Sequence, residues 1–171
     1  TEAKQSQRAS SGNLAVGWYT IATTESGRAM ARFSVCDVAS GQHAHCTFYA
    51  THNYGRDGSN VINVVSYCSY GGDEDPIGGI RIKDLGTYDG AVLQIYIAQA
   101  TNNLFVSLLE DIALGNSWVL KAFIPDATDP GGVSQTSNST SGATSAYASF
   151  TSKTEITLAD IPGAYGGTGT S

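Results

Sequence analysis

The sequence predicts an all-β chain, an antiparallel β-sandwich or jelly roll of about ten strands. Three observations predict it. Runs rich in β-branched and aromatic residues recur at spacings of roughly 8–15 residues, separated by turn clusters. Within several runs apolar and polar side chains alternate with a period of two. Nowhere does a 3.6-residue period persist over about twelve residues, so helix is negligible.

The elements follow in order. Residues 16–23 (VGWYTIAT) form the first run and stop at Glu25-Ser-Gly27. Residues 28–38 (RAMARFSVCDV) put Ala29, Ala31, Phe33 and Val35 on one face, and Ala39-Ser-Gly41 breaks the run. Residues 43–51 (HAHCTFYAT) put Ala44, Cys46, Phe48 and Ala50 on one face and His43, His45, Thr47 and Tyr49 on the other. After the turn Tyr54-Gly-Arg-Asp-Gly58, residues 60–70 (NVINVVSYCSY) are β-branched and aromatic and end at Gly71-Gly72.

Residues 77–83 (IGGIRIK) and 91–98 (AVLQIYIA) flank the turn Thr87-Tyr-Asp-Gly90, and the second sets Ala91, Leu93, Ile95 and Ile97 on one side. Runs at 103–109, 117–124, 145–150 and 153–158 complete the set. Trp18 and Trp118 are expected in the core.

The sandwich is expected to span residues 15–160. Residues 1–14 are polar and aperiodic and read as a linker, and residues 161–171 as a flexible Gly-rich tail. The chain begins without Met, so it is expected to be a segment of something longer. Residues 126–144 run without a periodic signal, a length at which loops tend to be mobile or to contact a ligand.

Composition narrows the function. Of 171 residues, 9 are Lys or Arg and 15 are Asp or Glu, a net charge of −6. Charged residues make up 14%, against roughly 25% in an ordinary soluble domain. The acid excess disfavours nucleic acid as a partner, the sparse charge a helical bundle. No apolar run reaches the roughly 18 residues of a membrane-spanning helix, so no membrane insertion is expected. What is left is a Gly-, Ser- and Thr-rich surface of the kind extracellular and virion β-proteins carry.

Few residues offer chemistry. Cys36, Cys46 and Cys68 sit inside strand-like runs and are expected to be buried thiols, consistent with assembly in a reducing cytosol. His43 and His45, two residues apart on one strand face, stand about 7 Å apart along the chain. With His52 nearby they are the one metal-like spacing, yet a zinc site needs three or four converging ligands. A strand on a three-fold axis would supply them; otherwise no metal is expected. Asp73-Glu-Asp75 is an acidic turn without the spacing of a calcium loop.

No nucleophile elbow, zinc-protease helix, P-loop or dinucleotide fingerprint occurs. Paired carboxylates for glycoside cleavage could come from Asp57, Asp73, Glu74, Asp126 or Asp129, with nothing to select a pair. The chain is therefore expected not to be an enzyme and to hold no cofactor. Tyr and Trp are the better clue, because they stack on sugars and fill interfaces at low entropic cost. Tyr67 and Tyr70, beside the acidic turn of Asp73, Glu74 and Asp75, are the expected binding residues.

A series of short words spans roughly residues 15–125: Gly17-Trp-Tyr-Thr-Ile-Ala22, Gly27-Arg-Ala-Met-Ala-Arg-Phe-Ser-Val35, Ser40-Gly-Gln-His43, Phe48-Tyr-Ala50, Tyr54-Gly55, Ile80-Arg-Ile82, Tyr88-Asp-Gly-Ala-Val-Leu93 and Ile95-Tyr-Ile97. The pattern resembles the β-sandwich head, or knob, at the C-terminal end of tail-fibre and spike proteins of phages and large algal viruses. The resemblance implies a homotrimeric knob on the virion surface, made in a host cytosol, that binds a host-surface glycan or protein receptor. It implies no residue-level site. Residues 1–14 would then be the end of the fibre shaft, and subunit contact would account for the sparse charge. The competing reading is a non-viral carbohydrate-binding sandwich, or a trimeric ligand head resembling C1q and tumour-necrosis-factor domains.

Overall fold

A computed structural model describes residues 7–25, 28–39, 41–53, 60–69, 76–85, 88–112, 118–127, 139–140 and 145–149. The strands are β1 (Gln7–Ser10), β2 (Gly17–Thr24), β3 (Arg28–Ala39), β4 (Gln42–Asn53), β5 (Val61–Ser69), β6 (Ile77–Asp84), β7 (Ala91–Ile97), β8 (Leu104–Asp111), β9 (Val119–Asp126), β10 (Ser139–Thr140) and β11 (Ser145–Ser149). The all-β expectation holds, with two antiparallel sheets facing each other across one core. The count of about ten strands is not confirmed among the described residues. Eight strands of seven to twelve residues carry the architecture, four in each sheet, and β1, β10 and β11 are short additions at the edges.

The first sheet runs β1-β8-β3-β4-β5-β10 and the second β11-β6-β7-β2-β9. Within the first, β8 returns to lie beside β3 after the meander β3-β4-β5, the spatial order of a Greek key.

Alternation decides which side faces the core. Ala29, Ala31, Phe33 and Val35 of β3 and Ala44, Cys46, Phe48 and Ala50 of β4 all point inward, as their period of two requires. They meet Ile80 and Ile82 of β6 and Ala91, Leu93, Ile95 and Ile97 of β7 from the opposite sheet. Phe33 stacks on Phe48 with ring centroids 5.5 Å apart, and Trp118 packs edge-on to Phe33. The Trp118 indole N–H donates to the Ala50 carbonyl at 3.1 Å, so its one polar atom is satisfied in the core.

Register irregularities interrupt five of the strand pairings. In β5, Ser66 pairs with Thr47 while Val64 pairs with Phe48, which leaves Val65 as an extra residue. In β9, Leu120 pairs with Ala22 and Ile124 with Thr20, so Lys121, Ala122 and Phe123 stand against Ile21 alone. Phe123 takes φ 45° there and is buried. In β6, Gly78 is skipped between Ile77 and Gly79 against β7.

Within residues 1–14, expected to be a linker or the end of a fibre shaft, the described part joins the first sheet. Gln7–Ser10 pair antiparallel with β8. Leu14 is buried and exchanges two backbone hydrogen bonds with Thr101, at 2.7 and 3.0 Å. Edge pairing uses backbone N–H and C=O groups, which a polar segment supplies as well as an apolar one, so hydropathy does not register it. Within residues 126–144, Ser139 and Thr140 pair with Ile62 and Val61. The expected strand at 153–158 and the tail at 161–171 lie outside the described residues. Among the described residues, no helix is long and apolar enough to cross a membrane.

Candidate functional site

The outer face of the second sheet carries the most developed polar chemistry of the described residues. Because Ile80 and Ile82 point inward, Arg81 and Lys83 point outward. The same rule on β7 turns Val92, Gln94 and Tyr96 outward. Register then aligns them across strands. Arg81 pairs with Gln94, Gln94 with Thr20, and Thr20 with Ile124. One row along, Gly79 pairs with Tyr96, Tyr96 with Trp18, and Trp18 with Asp126.

Arg81 is the centre, with a side chain only 1% exposed. Its Nε donates to Gln94 Oε1 at 2.6 Å, its guanidinium carbon lies 4.0 Å from the centroid of the Trp18 ring, and Nη2 stands 3.6 Å from Asp126 Oδ2. A buried cation needs such partners, since desolvation otherwise costs more than the ion pair returns. Gln94 ties the group together: its Nε2 donates to Asp126 Oδ2 at 2.7 Å and to Thr20 Oγ1 at 2.9 Å. Lys83 Nζ donates to the same Asp126 oxygen at 3.0 Å. Two cations thus face one carboxylate.

Trp18 and Tyr96 flank this network, half-exposed, with ring centroids 5.2 Å apart and planes tilted by 48°. Tyr96 keeps its place because Gly78 has no side chain: a Cβ there would lie 2.7 Å from Tyr96 Cδ1. Aromatic rings beside amide, carboxylate and ammonium groups offer stacking and hydrogen bonding on one surface, the combination by which proteins hold sugar rings.

Of the expected binding residues, Tyr67 alone is among the described ones. Tyr67 is packed partly buried against the core, opposite Cys46. The extra residue Val65 reverses the facing of the described residues after it in β5, which turns Tyr67 toward the core. Tyr70, Asp73, Glu74 and Asp75 lie outside the described residues, as do Asp57 and Asp129.

His43 is exposed on the outer face of the first sheet, and His45 is half-buried beside it. His45 Nε2 is 2.9 Å from Ser34 Oγ and 3.4 Å from Thr47 Oγ1. His52 is on the other side of β4, buried, with Nδ1 2.7 Å from Asn60 Oδ1. An odd and an even position cannot share a strand face, so His52 cannot join His43 and His45. Among the described residues, no group of three or more His, Cys, Asp or Glu side chains could hold a metal ion.

Two further expectations change. Only Cys46 is a buried thiol; Cys36 is half-buried and Cys68 exposed, because register sets both beside His45 on the outer face. Burial, with a smaller contribution from Cys68, pushes Cys46 up to about 12. Trp18 is not core but lies over Arg81 outside it. The site itself was missed. Its signal was present in IRIK and LQIY, whose polar residues alternate with inward Ile and Leu and so share one face.

No family model and no curated protein matches the chain. Among solved structures, it is similar to WceF of Pantoea stewartii, described as a glycan biofilm modifying enzyme with a bacteriophage tailspike-like parallel β-helix fold. The TM-score is 0.42 at 12% identity, over 82% of this chain and 22% of that one. The chain thus spans about a fifth of the length of that protein, and at this distance the likeness assigns neither fold nor function. The expectation that the chain is not an enzyme is nevertheless corrected: the structure it is similar to is named an enzyme, and absence of activity is no longer attributed to the chain.

Proposed function

We propose that this chain is the head domain of a virion fibre or spike, exposed on the particle surface, that attaches to a host-cell glycan through the outer face of β6, β7, β2 and β9. One observation carries the reading. Trp18 and Tyr96 flank a hydrogen-bonded set of Gln94, Asp126 and Lys83 that is held from beneath by buried Arg81. Such a site is pre-organised, so ordering it costs little on binding.

The assembly proposed is a homotrimer. Supporting it, the Ile112 N–H donates to the Met30 carbonyl at 2.8 Å, which sets two exposed apolar side chains side by side at one end of the first sheet. Adjacent exposed apolar residues favour burial against a neighbour.

The test is binding to an array of host-type glycans and to host cells, with Trp18→Ala and Tyr96→Ala as variants. Retained fold with binding lowered at least about tenfold is the expected result. Unchanged binding by both variants sinks the site. Light-scattering chromatography tests the trimer, and a monomer favours the solitary carbohydrate-binding module instead.

A further inference from the structure

We infer that the sugar recognised at this face presents a methyl group, from an acetamido substituent or a deoxy position, and that Ile124 is the side chain that receives it. This rests on the glycan-binding reading above. The outer face of the second sheet is built in successive rows across its strands. Tyr96, Trp18 and Asp126 make one row, Arg81, Gln94, Thr20 and Ile124 the next, and Lys83, Val92, Thr23 and Val119 the one after.

The rows differ in what they leave for a ligand. In the middle row Arg81, Gln94 and Thr20 are buried, and hydrogen bonds join them to one another and to Asp126. They act from beneath, as a support. Ile124 is the exposed side chain of that row, at 51%. The row on one side of it offers the half-exposed rings of Trp18 and Tyr96 and the partly exposed Asp126 carboxylate. The row on the other side offers partly exposed Lys83, with Val119 52% exposed on the same border as Ile124. Hydrogen-bonding groups thus stand toward the two ends of the face, with an aliphatic one between them.

Register sets Ile124 beside the stacking surface. Trp18 pairs with Asp126, two residues along β9 from Ile124, and diagonal neighbours across such a pair stand about 7–8 Å apart. A pyranose ring carrying one substituent spans that gap. A sugar laid on Trp18 therefore sets the substituent nearest β9 over Ile124. A hydroxyl in that place loses water and finds no hydrogen-bonding partner on Ile124, which costs free energy. A methyl in the same place covers apolar surface that otherwise faces water, which is favourable.

The experiment is titration calorimetry of the full chain with two matched pairs of glycans. One pair is a β-linked tetramer of N-acetylglucosamine and the same tetramer of glucose. The other is a disaccharide ending in L-fucose and its L-galactose counterpart, which has a hydroxymethyl in place of the methyl. At least one methyl-bearing member should bind about fivefold or more tighter than its counterpart. The pair that shows the difference identifies the source of the methyl. Ile124→Ser should remove the preference and Ile124→Leu should keep it, with thermal unfolding confirming that both variants fold.

Equal binding within both pairs, or tighter binding of the hydroxylated members, overturns the inference. So does a preference that survives Ile124→Ser. If the sugars bind without preference and depend on Trp18 and Tyr96, glycan attachment stands and only the methyl assignment falls. If none of the four binds, the methyl assignment falls, and the glycan reading falls with it when Trp18→Ala and Tyr96→Ala attach to host cells normally.

Discussion

Gln94 and Asp126 are joined by a 2.7 Å hydrogen bond that passes over an intervening strand. Gln94 belongs to β7 and Asp126 to β9, and β2 lies between them. The bond therefore clamps three strands. It also holds the carboxylate against a cation that has lost its water, which makes the two ends of the ion pair unequal under mutation.

Asp126→Asn removes a counter-charge from buried Arg81 and should cost about 2 kcal/mol, discounted from the fully buried case because Asp126 remains 20% exposed. Arg81→Met removes the charge together with the need for a partner and should cost less, about 1 kcal/mol. Urea midpoints at unchanged slope measure both. The reverse order would show that the ion pair does not govern the stability of this face.

Gly90 sits at φ 83°, and a Cβ there would lie 2.0 Å from the Thr24 carbonyl oxygen. Gly90→Ala should lose at least about 2 kcal/mol, from left-handed backbone cost plus displacement of the end of β2. Gly12, with open space around it, is the control, and Gly12→Ala should change the midpoint little.

Phe123 is a bulky residue at φ 45° yet buried, so its packing and its backbone oppose each other. Phe123→Ala should cost about 3 kcal/mol through the cavity it leaves. Phe123→Gly removes the same ring but relaxes the backbone, and should be the more stable of the two by roughly 1 kcal/mol. Thermal unfolding of the pair settles the sign.

The Cys46 thiol is raised by burial from 9.0 to about 12. The folded state therefore holds this proton more tightly than the unfolded chain. Its contribution to stability is complete below pH 9 and is lost as pH rises toward 12. Cys46→Ala should flatten the decline of stability over that interval. In the native protein a thiol reagent at pH 8 should modify exposed Cys68 first and reach Cys46 only on unfolding.

Much of the fold was legible because alternation is a local signal. The inward faces of β3, β4 and β7 were assigned residue by residue from a period of two. The failures have equally definite causes. The facing of Tyr67 is not legible because a single extra residue, Val65, shifts parity without changing composition. Trp18 was assigned to the core because hydropathy cannot tell a ring packed on Ile from one packed on a guanidinium. The burial of Arg81 depends on Trp18 of β2 and Asp126 of β9, far from it in sequence. No local pattern carries that.

The crowding of Lys121, Ala122 and Phe123 against Ile21 has a consequence beyond local geometry. It falls on β9, which ends the second sheet, and it interrupts the row of backbone donors and acceptors there. Among the described residues, a second chain approaching that border meets a strand whose regular pairing is broken at Lys121–Phe123. Backbone pairing with another strand is thereby disfavoured on this side, as it is by bulges at sheet edges generally.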